Sequence, residues 1–363
     1  MSAALLVYCR PGFEKECAQE IDHYATALGI SGYVRTKPDS GWLLYVPHEE
    51  NGATQLYRKL NFVEFIFPRQ IVHRVISVEN LPERDRATPL ADCAATLGLN
   101  FSAVYLETAD TNEAKELSSF CRKFQPHIEK ALTKRELLRN NASLPRLHIF
   151  FTDHATAWLG ITDTDNSSPW AMGIPRLKSV PGAPSRSAQK LAEALQIFLT
   201  PEERAERLHE GITGVDLGAS PGGWTWVLVR HGLHVTAIDN GKLAPEIMAS
   251  GQVEHLHADG LTWRPRRPVH WLVCDMAEKP ARVAALMADW LAEAHCEEIV
   301  FNLKLPMKKR YDEVEHCRAL IAERLDTAHM PYTLAFRQLY HDREEVTGHL
   351  RRITASKSAA KRR

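Results

Sequence analysis

Residues Gly214 to Gly223 read Gly-Val-Asp-Leu-Gly-Ala-Ser-Pro-Gly-Gly, a strand running into a glycine-rich turn and then a helix. Val215 and Leu217 are strand formers. Gly218 permits a tight turn, and Gly222 and Gly223 let the backbone approach a ligand with no Cβ in the way. The turn lacks the Gly-x-Gly-x-x-Gly order by which backbone amides and a helix N-terminus face a pyrophosphate. It carries Asp216 instead, which repels a pyrophosphate and suits a cationic or neutral ligand bearing an amino group. Two further strands end in acids. His234 to Asp239 places a carboxylate about 20 residues past the glycines, where it can bind ribose hydroxyls. Val253 to Asp259 ends in Asp259, which could meet an adenine amino group.

An acidic first loop, with acids closing strands two and three, resembles the S-adenosylmethionine-dependent methyltransferases. That resemblance implies S-adenosylmethionine as cofactor, and strands four and five then discriminate between methyl acceptors. Amino-group enzymes end strand four in Asn/Asp-Pro-Pro-Tyr/Phe, whereas this chain has Cys274-Asp275-Met276-Ala277-Glu278, without proline pair or aromatic. C5-pyrimidine enzymes need a nucleophilic cysteine. Cys274 sits inside a strand before an acid that would raise its thiol pKa, and reads as core. An alcohol acceptor needs a group that positions or deprotonates a hydroxyl, and Lys304 ends strand five beside Asp275. Lys190 lies near the start of the helix before strand one, and Glu345 opens the last strand, with Glu344 as its rival. A Lys-Asp-Lys-Glu set in this order (Lys190, Asp275, Lys304, Glu345) resembles the tetrad of the FtsJ-like RNA ribose 2′-O-methyltransferases. Lys190 also suits a solvated helix face and Glu345 a strand edge. Lys304, ending a buried strand, is harder to place without a role.

The elements that must carry these residues follow from pattern and punctuation. At 363 residues the chain is comfortable for two or three domains. Hydrophobic content of 44% and charged content of 25% are those of an ordinary globular protein. The formal net charge is zero, so a polyanion must be met by local patches. No apolar run reaches the roughly 18 residues of a membrane span, and the N-terminus lacks the order of a signal peptide. Seven scattered cysteines with no Cys-x-x-Cys pair read as reduced thiols of a cytoplasmic protein, without a metal site.

Strands are predicted at 4–9, 33–36, 42–46 and 69–76, with helices at 13–28 and 56–62 and a hairpin at Pro38-Asp-Ser-Gly41, forming a small α+β domain over 1–79. A second domain over 80–163 has a strand at 103–108, a helical stretch at 113–138 and a hairpin of 147–151 with 157–161. Residues 122–146 carry Arg122, Lys123, Lys130, Lys134, Arg135, Arg139 and Arg146 against Glu129 and Glu136. This is either a solvated helix face or a phosphate-contacting one. A Pro/Gly/Ser-rich linker spans 164–186, in which Trp170 and Met172 suggest packing. From 187 onward, strands at 214–217, 234–238, 253–257, 271–274 and 298–303 alternate with helices. A hairpin of 333–340 and 346–353 ends the domain. Five βα steps and a terminal hairpin suit a Rossmann-like seven-stranded sheet with the hairpin inserted antiparallel. The basic tail Lys357 to Arg363 reads as disordered.

Taken over its whole length, the chain looks like a bacterial 23S rRNA cytidine-2′-O-methyltransferase. The likeness rests on a ferredoxin-like domain, a THUMP-like module, Ser168-Pro-Trp-Ala-Met-Gly-Ile-Pro-Arg-Leu-Lys178, Pro184-Ser-Arg-Ser187 and Lys304-Leu-Pro-Met-Lys-Lys309. It implies that Ser187, Asp216, Gly218, Ser220, Pro221, Gly222, Gly223, Asp239, Asp259 and Asp275 line the cofactor site. It also implies a monomer acting on one cytidine in the peptidyl-transferase region of 23S rRNA, before full ribosomal assembly. Lys304 is then either a general base or an orienting cation. A lysine becomes a base at neutral pH only at a cost of roughly 4 kcal/mol, and Asp275 opposes that change. The rivals are a non-catalytic RNA-binding protein, disfavoured by the intact loop and tetrad, and a dehydrogenase, disfavoured by the missing third glycine.

Overall fold

The computed structural model describes residues 4–177 and 182–353. Lys178, Pro181 and the basic tail lie outside the described residues. The chain divides into two compact units, Met1–Pro175 and Arg176–Arg363.

The N-terminal unit runs β1 (Leu5–Tyr8), α1 (Glu14–Ala27), β2 (Gly32–Thr36), β3 (Trp42–Pro47), α2 (Gly52–Lys59), β4 (Gln70–Val78), α3 (Ala87–Ala95), β5 (Ala103–Thr108), α4 (Lys115–Lys134), β6 (Arg146–Phe151) and β7 (Ala157–Thr162). Its strands form one seven-stranded sheet in the order β2-β3-β1-β4-β7-β6-β5. The long strand β4 joins the two halves. Gln70 to Val72 pair antiparallel with β1. His73 to Val78 pair with β7 across a register shift where Arg74 takes φ 53°. An extra residue of this kind bends a strand and lets it serve two neighbours. The hairpin of β2 and β3 turns at Asp39 (φ 58°) and Gly41 (φ 72°), as the Pro-Asp-Ser-Gly signal predicts.

Helix α4 buries Leu117, Cys121, Ile128 and Leu132 at helical spacing against β5 and β6. It stops earlier than the sequence predicts. Glu136 adopts φ 57°, its N–H donates to Thr133 O, and Leu137 N–H donates back to Leu132 O. This is a Schellman ending with glutamate at the left-handed position where glycine is usual. The linker packs as Trp170 and Met172 suggest. Ser168 exchanges two hydrogen bonds with Gln70, and Met172 N–H donates to Glu107 at 2.5 Å. Gly173 (φ 67°) lies so close that a Cβ there would come within 1.9 Å of Arg69 O.

The C-terminal unit runs α5 (Ala188–Phe198), α6 (Pro201–Arg207), β8 (Thr213–Leu217), α7 (Gly223–Arg230), β9 (His234–Ile238), α8 (Pro245–Met248), β10 (Val253–Leu256), β11 (Val269–Cys274), α9 (Pro280–Ala292), β12 (Cys296–Lys304), α10 (Arg310–Thr327), β13 (Tyr332–Arg337) and β14 (Glu345–Arg352). The sheet order is β10-β9-β8-β11-β12-β14-β13. The first five strands are parallel, and β14 runs antiparallel between β12 and β13, so the predicted inserted hairpin is present. Trp224, Leu228, Trp271 and Val300 anchor a core beneath α5 and α7. Ligands of such sheets bind beyond the carboxyl ends of the parallel strands, where chain reversals leave loops free.

Candidate active site

Four loops at those carboxyl ends hold the predicted cofactor residues other than Ser187, which stands at the N-terminus of α5. Asp216 is 1% exposed at the end of β8, and Thr225 Oγ1 donates to its Oδ2 at 2.6 Å. Its Oδ1 is buried with no partner among the described residues. Burial pushes its pKa up to about 7 against the hydrogen bonds from Thr225, with Asp275 and Asp239 adding repulsion. An unsatisfied buried carboxylate oxygen is costly, and a ligand donor would relieve it. Gly222 (φ 110°) caps α7, and a Cβ on Gly223 would meet the hydroxyls of Ser185 and Ser187 at 2.3 Å. Gly218 is equally confined, with Met276 Cγ 2.7 Å from a Cβ there. Asp239 accepts from Ser220 N–H at 3.0 Å and from Gly241 N–H at 2.6 Å, tying the end of β9 to the turn through Pro221. Asp259 is exposed after β10 and accepts from Leu261 N–H at 2.9 Å.

Next to these loops, four charged side chains from four elements close into a ring. Lys190 comes from α5, Asp275 follows β11, Lys304 ends β12 and Glu345 opens β14. The antiparallel register pairs Lys304 with Glu345 directly. Lys304 Nζ donates to Asp275 Oδ1 at 2.5 Å and also to Glu345 Oε2. Lys190 Nζ donates to Asp275 Oδ2 at 3.1 Å and to Glu345 Oε1 at 2.7 Å. Glu344 turns out to Arg310 at 2.5 Å, so Glu345 is the glutamate of the ring. Burial raises the Asp275 carboxyl, but the Lys304 and Lys190 ammoniums outweigh it and hold Asp275 below the usual carboxylate range. For Lys304 the balance is reversed: burial favours the neutral amine, yet Asp275 and Glu345 raise its pKa well above the ordinary value. The resting lysine is an ammonium.

Strand position explains why Cys274 takes no part. It is fully buried, and burial foremost pushes its thiol up to about 12, far from a reactive thiolate. Among the described residues no His/Cys/Asp/Glu group is arranged to hold a metal. No helix among the described residues is long and apolar enough to cross a membrane.

Three family models tile the chain. Residues 1–72 match the RlmM ferredoxin-like domain, 85–163 the N-terminal region of ribosomal RNA large subunit methyltransferase M, and 183–318 the FtsJ-like methyltransferases. The ribosomal RNA large subunit methyltransferase M of Aromatoleum aromaticum is 50% identical over 96% of this chain and 95% of its own length. That of Methylococcus capsulatus is 51% identical over 97% and 99%. The chain belongs to the ribosomal RNA large subunit methyltransferase M family. Its Thauera aminoaromatica member is 51% identical over 96% of both chains. Family membership makes the chain an rRNA methyltransferase, with the C-terminal sheet as its FtsJ-like part.

Sequence reasoning missed several residues that support the ring. Glu193, one turn beyond Lys190, is 1% exposed and accepts from Tyr340 N–H, His341 N–H and His341 Nδ1, anchoring the loop before Glu345. Asn302, Thr347 and Asp342 are fully buried beside it. The signal available was polarity inside an apolar run, and it marks Asn302 alone, within Ile299-Val-Phe-Asn-Leu303. The basic residues of the N-terminal unit also separate. Arg135 is committed to Asp92 at 2.7 Å, Arg139 to Glu136 at 3.4 Å and Arg146 to Ser167 at 3.0 Å. Arg122, Lys123, Lys130 and Lys134 are exposed on α4.

Proposed function

We propose that this enzyme transfers the methyl group of S-adenosylmethionine to the ribose 2′-oxygen of a cytidine in the peptidyl-transferase region of 23S rRNA. It would act in the cytoplasm before full ribosomal assembly. The observation that carries the reading is the convergence of Lys190, Asp275, Lys304 and Glu345 on one ring whose exposed member is a lysine. Its side chain is 31% exposed, against 9–16% for the other three. The segment Cys274-Asp275-Met276-Ala277-Glu278 offers no base-stacking aromatic and its thiol is buried and unreactive, so a hydroxyl fits better than a base amine or carbon. Cytidine and its region rest on the sequence resemblance.

The residues present fit the cofactor. The unpartnered Asp216 Oδ1 suits its amino group, Asp239 its ribose hydroxyls and Asp259 its adenine amine, while Gly218, Ser220, Pro221, Gly222, Gly223 and Ser187 shape the cradle. When bound, S-adenosylmethionine supplies a sulfonium methyl that needs no further activation. The chain's own contribution is alignment, which can supply several kcal/mol of the barrier. Lys304, held as an ammonium by two carboxylates, donates a hydrogen bond to the 2′-oxygen and fixes the direction of its lone pair. Lys190 keeps those carboxylates in place, and the hydroxyl proton leaves late, to water.

For the RNA, α4 offers a narrower face than the basic run suggests. Lys123, His127, Lys130 and Lys134 follow i, i+4, i+7, i+11 along one stripe, all exposed, spanning roughly 16 Å at 1.5 Å per residue. The ferredoxin-like and THUMP-like parts present the RNA, and residues 187–363 methylate it. Two measurements test this reading. Calorimetric titration should show binding of S-adenosylmethionine and not NAD, with tritium passing from labelled cofactor to protein-free 23S rRNA. The single-turnover rate should be flat between about pH 6 and 9 for an orienting ammonium, whereas a base would give a tenfold rise per pH unit.

A further inference from the structure

Uncharged groups hold the ring's carboxylates from behind. The register that pairs Lys304 with Glu345 pairs Asn302 with Thr347 two residues along, on the same face of the sheet. Asn302 Nδ2 lies 2.9 Å from Asp275 Oδ1 and 3.5 Å from Glu345 Oε2. Because both are acceptors, the NH2 must face them and Oδ1 must face away, towards Thr347 Oγ1 at 2.7 Å. That oxygen only accepts, so it takes the single hydroxyl hydrogen of Thr347. Thr347 Oγ1 also lies 3.2 and 3.1 Å from the two carboxyl oxygens of Asp342. With its hydrogen already given, Thr347 can only accept there, and a carboxylate has nothing to donate. Leu339 N–H occupies Asp342 Oδ2 at 2.9 Å, which leaves Oδ1 as the atom that must carry a proton.

The charges facing Asp342 agree. Glu345 and Glu193 oppose a negative charge there, His341 is engaged by Glu193, and Lys190 is shared between Asp275 and Glu345. Complete burial, then Glu345, keep the Asp342 carboxyl well above the usual range despite Leu339 N–H and Lys190.

We propose that Asp342 is a positioning residue, a neutral carboxylic acid whose O–H heads a chain of hydrogen bonds through Thr347 and Asn302 to the carboxylates of Asp275 and Glu345. It holds the geometry in which they grip Lys304, and its catalytic meaning rests on the methyl-transfer reading above. Ionising Asp342 would turn the Thr347 hydroxyl towards it and leave Asn302 Oδ1 without a donor. Asp342→Asn preserves the pattern, since its NH2 donates to Thr347 and its carbonyl accepts from Leu339.

The full-length enzyme and Asp342→Asn are compared by thermal melting across about pH 5 to 9. A carboxyl whose folded pKa exceeds its unfolded value stabilises the fold fully below the unfolded pKa and loses that contribution as pH rises. The Tm of Asp342→Asn relative to wild type therefore climbs with pH. A difference that stays flat or falls means Asp342 is ionised in the fold and overturns the proposal. In transfer assays Asp342→Ala and Thr347→Val lower kcat by about 10- to 100-fold, the size expected for small misplacements, with both KM values within about twofold. Asp342→Asn recovers most of the loss. If it is as slow as Asp342→Ala, or if Thr347→Val keeps full kcat, the chain does not position the ring. Lys304→Ala as fast as wild type would instead sink the reading of the ring itself, leaving the melting comparison to decide the proton on Asp342.

Discussion

Two buried clusters of charged and polar side chains, one in each unit, are finished differently. In the N-terminal unit Glu107, 2% exposed, accepts from Tyr8 Oη at 2.8 Å and Met172 N–H at 2.5 Å, and meets His148 Nδ1 at 2.8 Å. His148 Nε2 reaches Thr162 Oγ1 at 3.0 Å. Every member has an internal partner, and the cluster ties the linker to the sheet. In the C-terminal unit the ring is equally connected, yet Lys304 keeps 31% of its side chain in solvent. A closed network serves the fold, because leaving any member unpaired costs the full desolvation penalty. A network with one charged donor exposed at the mouth of a parallel sheet can exchange a partner for a substrate atom. Burial alone does not separate the two; the open position does.

Breaking the closed cluster should give the larger free-energy change. Glu107→Ala takes the partner from Tyr8 Oη, His148 Nδ1 and Met172 N–H and should destabilise the protein by about 3–5 kcal/mol in denaturant titration. A loss below about 1 kcal/mol would mean that water or repacking replaces Glu107. Breaking the open cluster should show in rate instead. Lys304→Ala should slow single-turnover transfer by about 100- to 1,000-fold, as for loss of one aligned donor, with cofactor affinity within about twofold. If affinity falls in step with rate, Lys304 belongs to the cofactor site.

Smaller effects sharpen the boundary between ring and cofactor loops. Asp239→Ala and Asp259→Ala should each weaken S-adenosylmethionine binding by roughly 10- to 150-fold, the worth of a charged-group hydrogen bond. Unchanged calorimetric affinity in both would remove them from the site. Asp216 carries a pH signature. Its folded pKa of about 7 exceeds the unfolded value near 3.9, so the buried carboxyl costs stability as pH rises through that window. A bound amino group favours the ionised form, so affinity should rise by up to about tenfold from pH 6 to 8, and Asp216→Asn should abolish the rise. A pH-independent affinity in wild type would show that Asp216 does not meet the ligand's charge. The smallest effect is on RNA. Charge reversal at Lys130 and Lys134 should lower the slope of log affinity against log salt by about 0.7–0.9 per lost phosphate contact and leave cofactor binding intact. An unaltered slope would return this stripe to an ordinary solvated face.

Local signals made much of this legible. Strand-helix alternation and the terminal hairpin predict the parallel sheet with β14 inserted, and the Pro-Asp-Ser-Gly turn predicts β2 and β3. The early end of α4 was hidden because its left-handed residue is Glu136 and no glycine marks it. Helix α3 was passed over because Ala87 to Ala95 is short, nearly uniformly small and interrupted by Pro89. That β4 pairs on both sides depends on contacts far apart in sequence, which no local period reports. The same holds in the site. Lys304 stood out as a charge ending an apolar strand, whereas Asn302 and Thr347 acquire meaning only from the β12–β14 register, and Glu344 and Glu345 are separated only by the direction each side chain takes.

The central claim is that the open ring directs the methyl group to a ribose oxygen. Protein-free 23S rRNA, methylated with labelled S-adenosylmethionine by the wild-type enzyme, is digested to nucleosides and the labelled product identified. The account predicts label in 2′-O-methylcytidine from a single position, accumulating about 100- to 1,000-fold more slowly with Lys304→Ala. Label in a base-methylated nucleoside, or in the same product with Lys304→Ala at the wild-type rate, would contradict it.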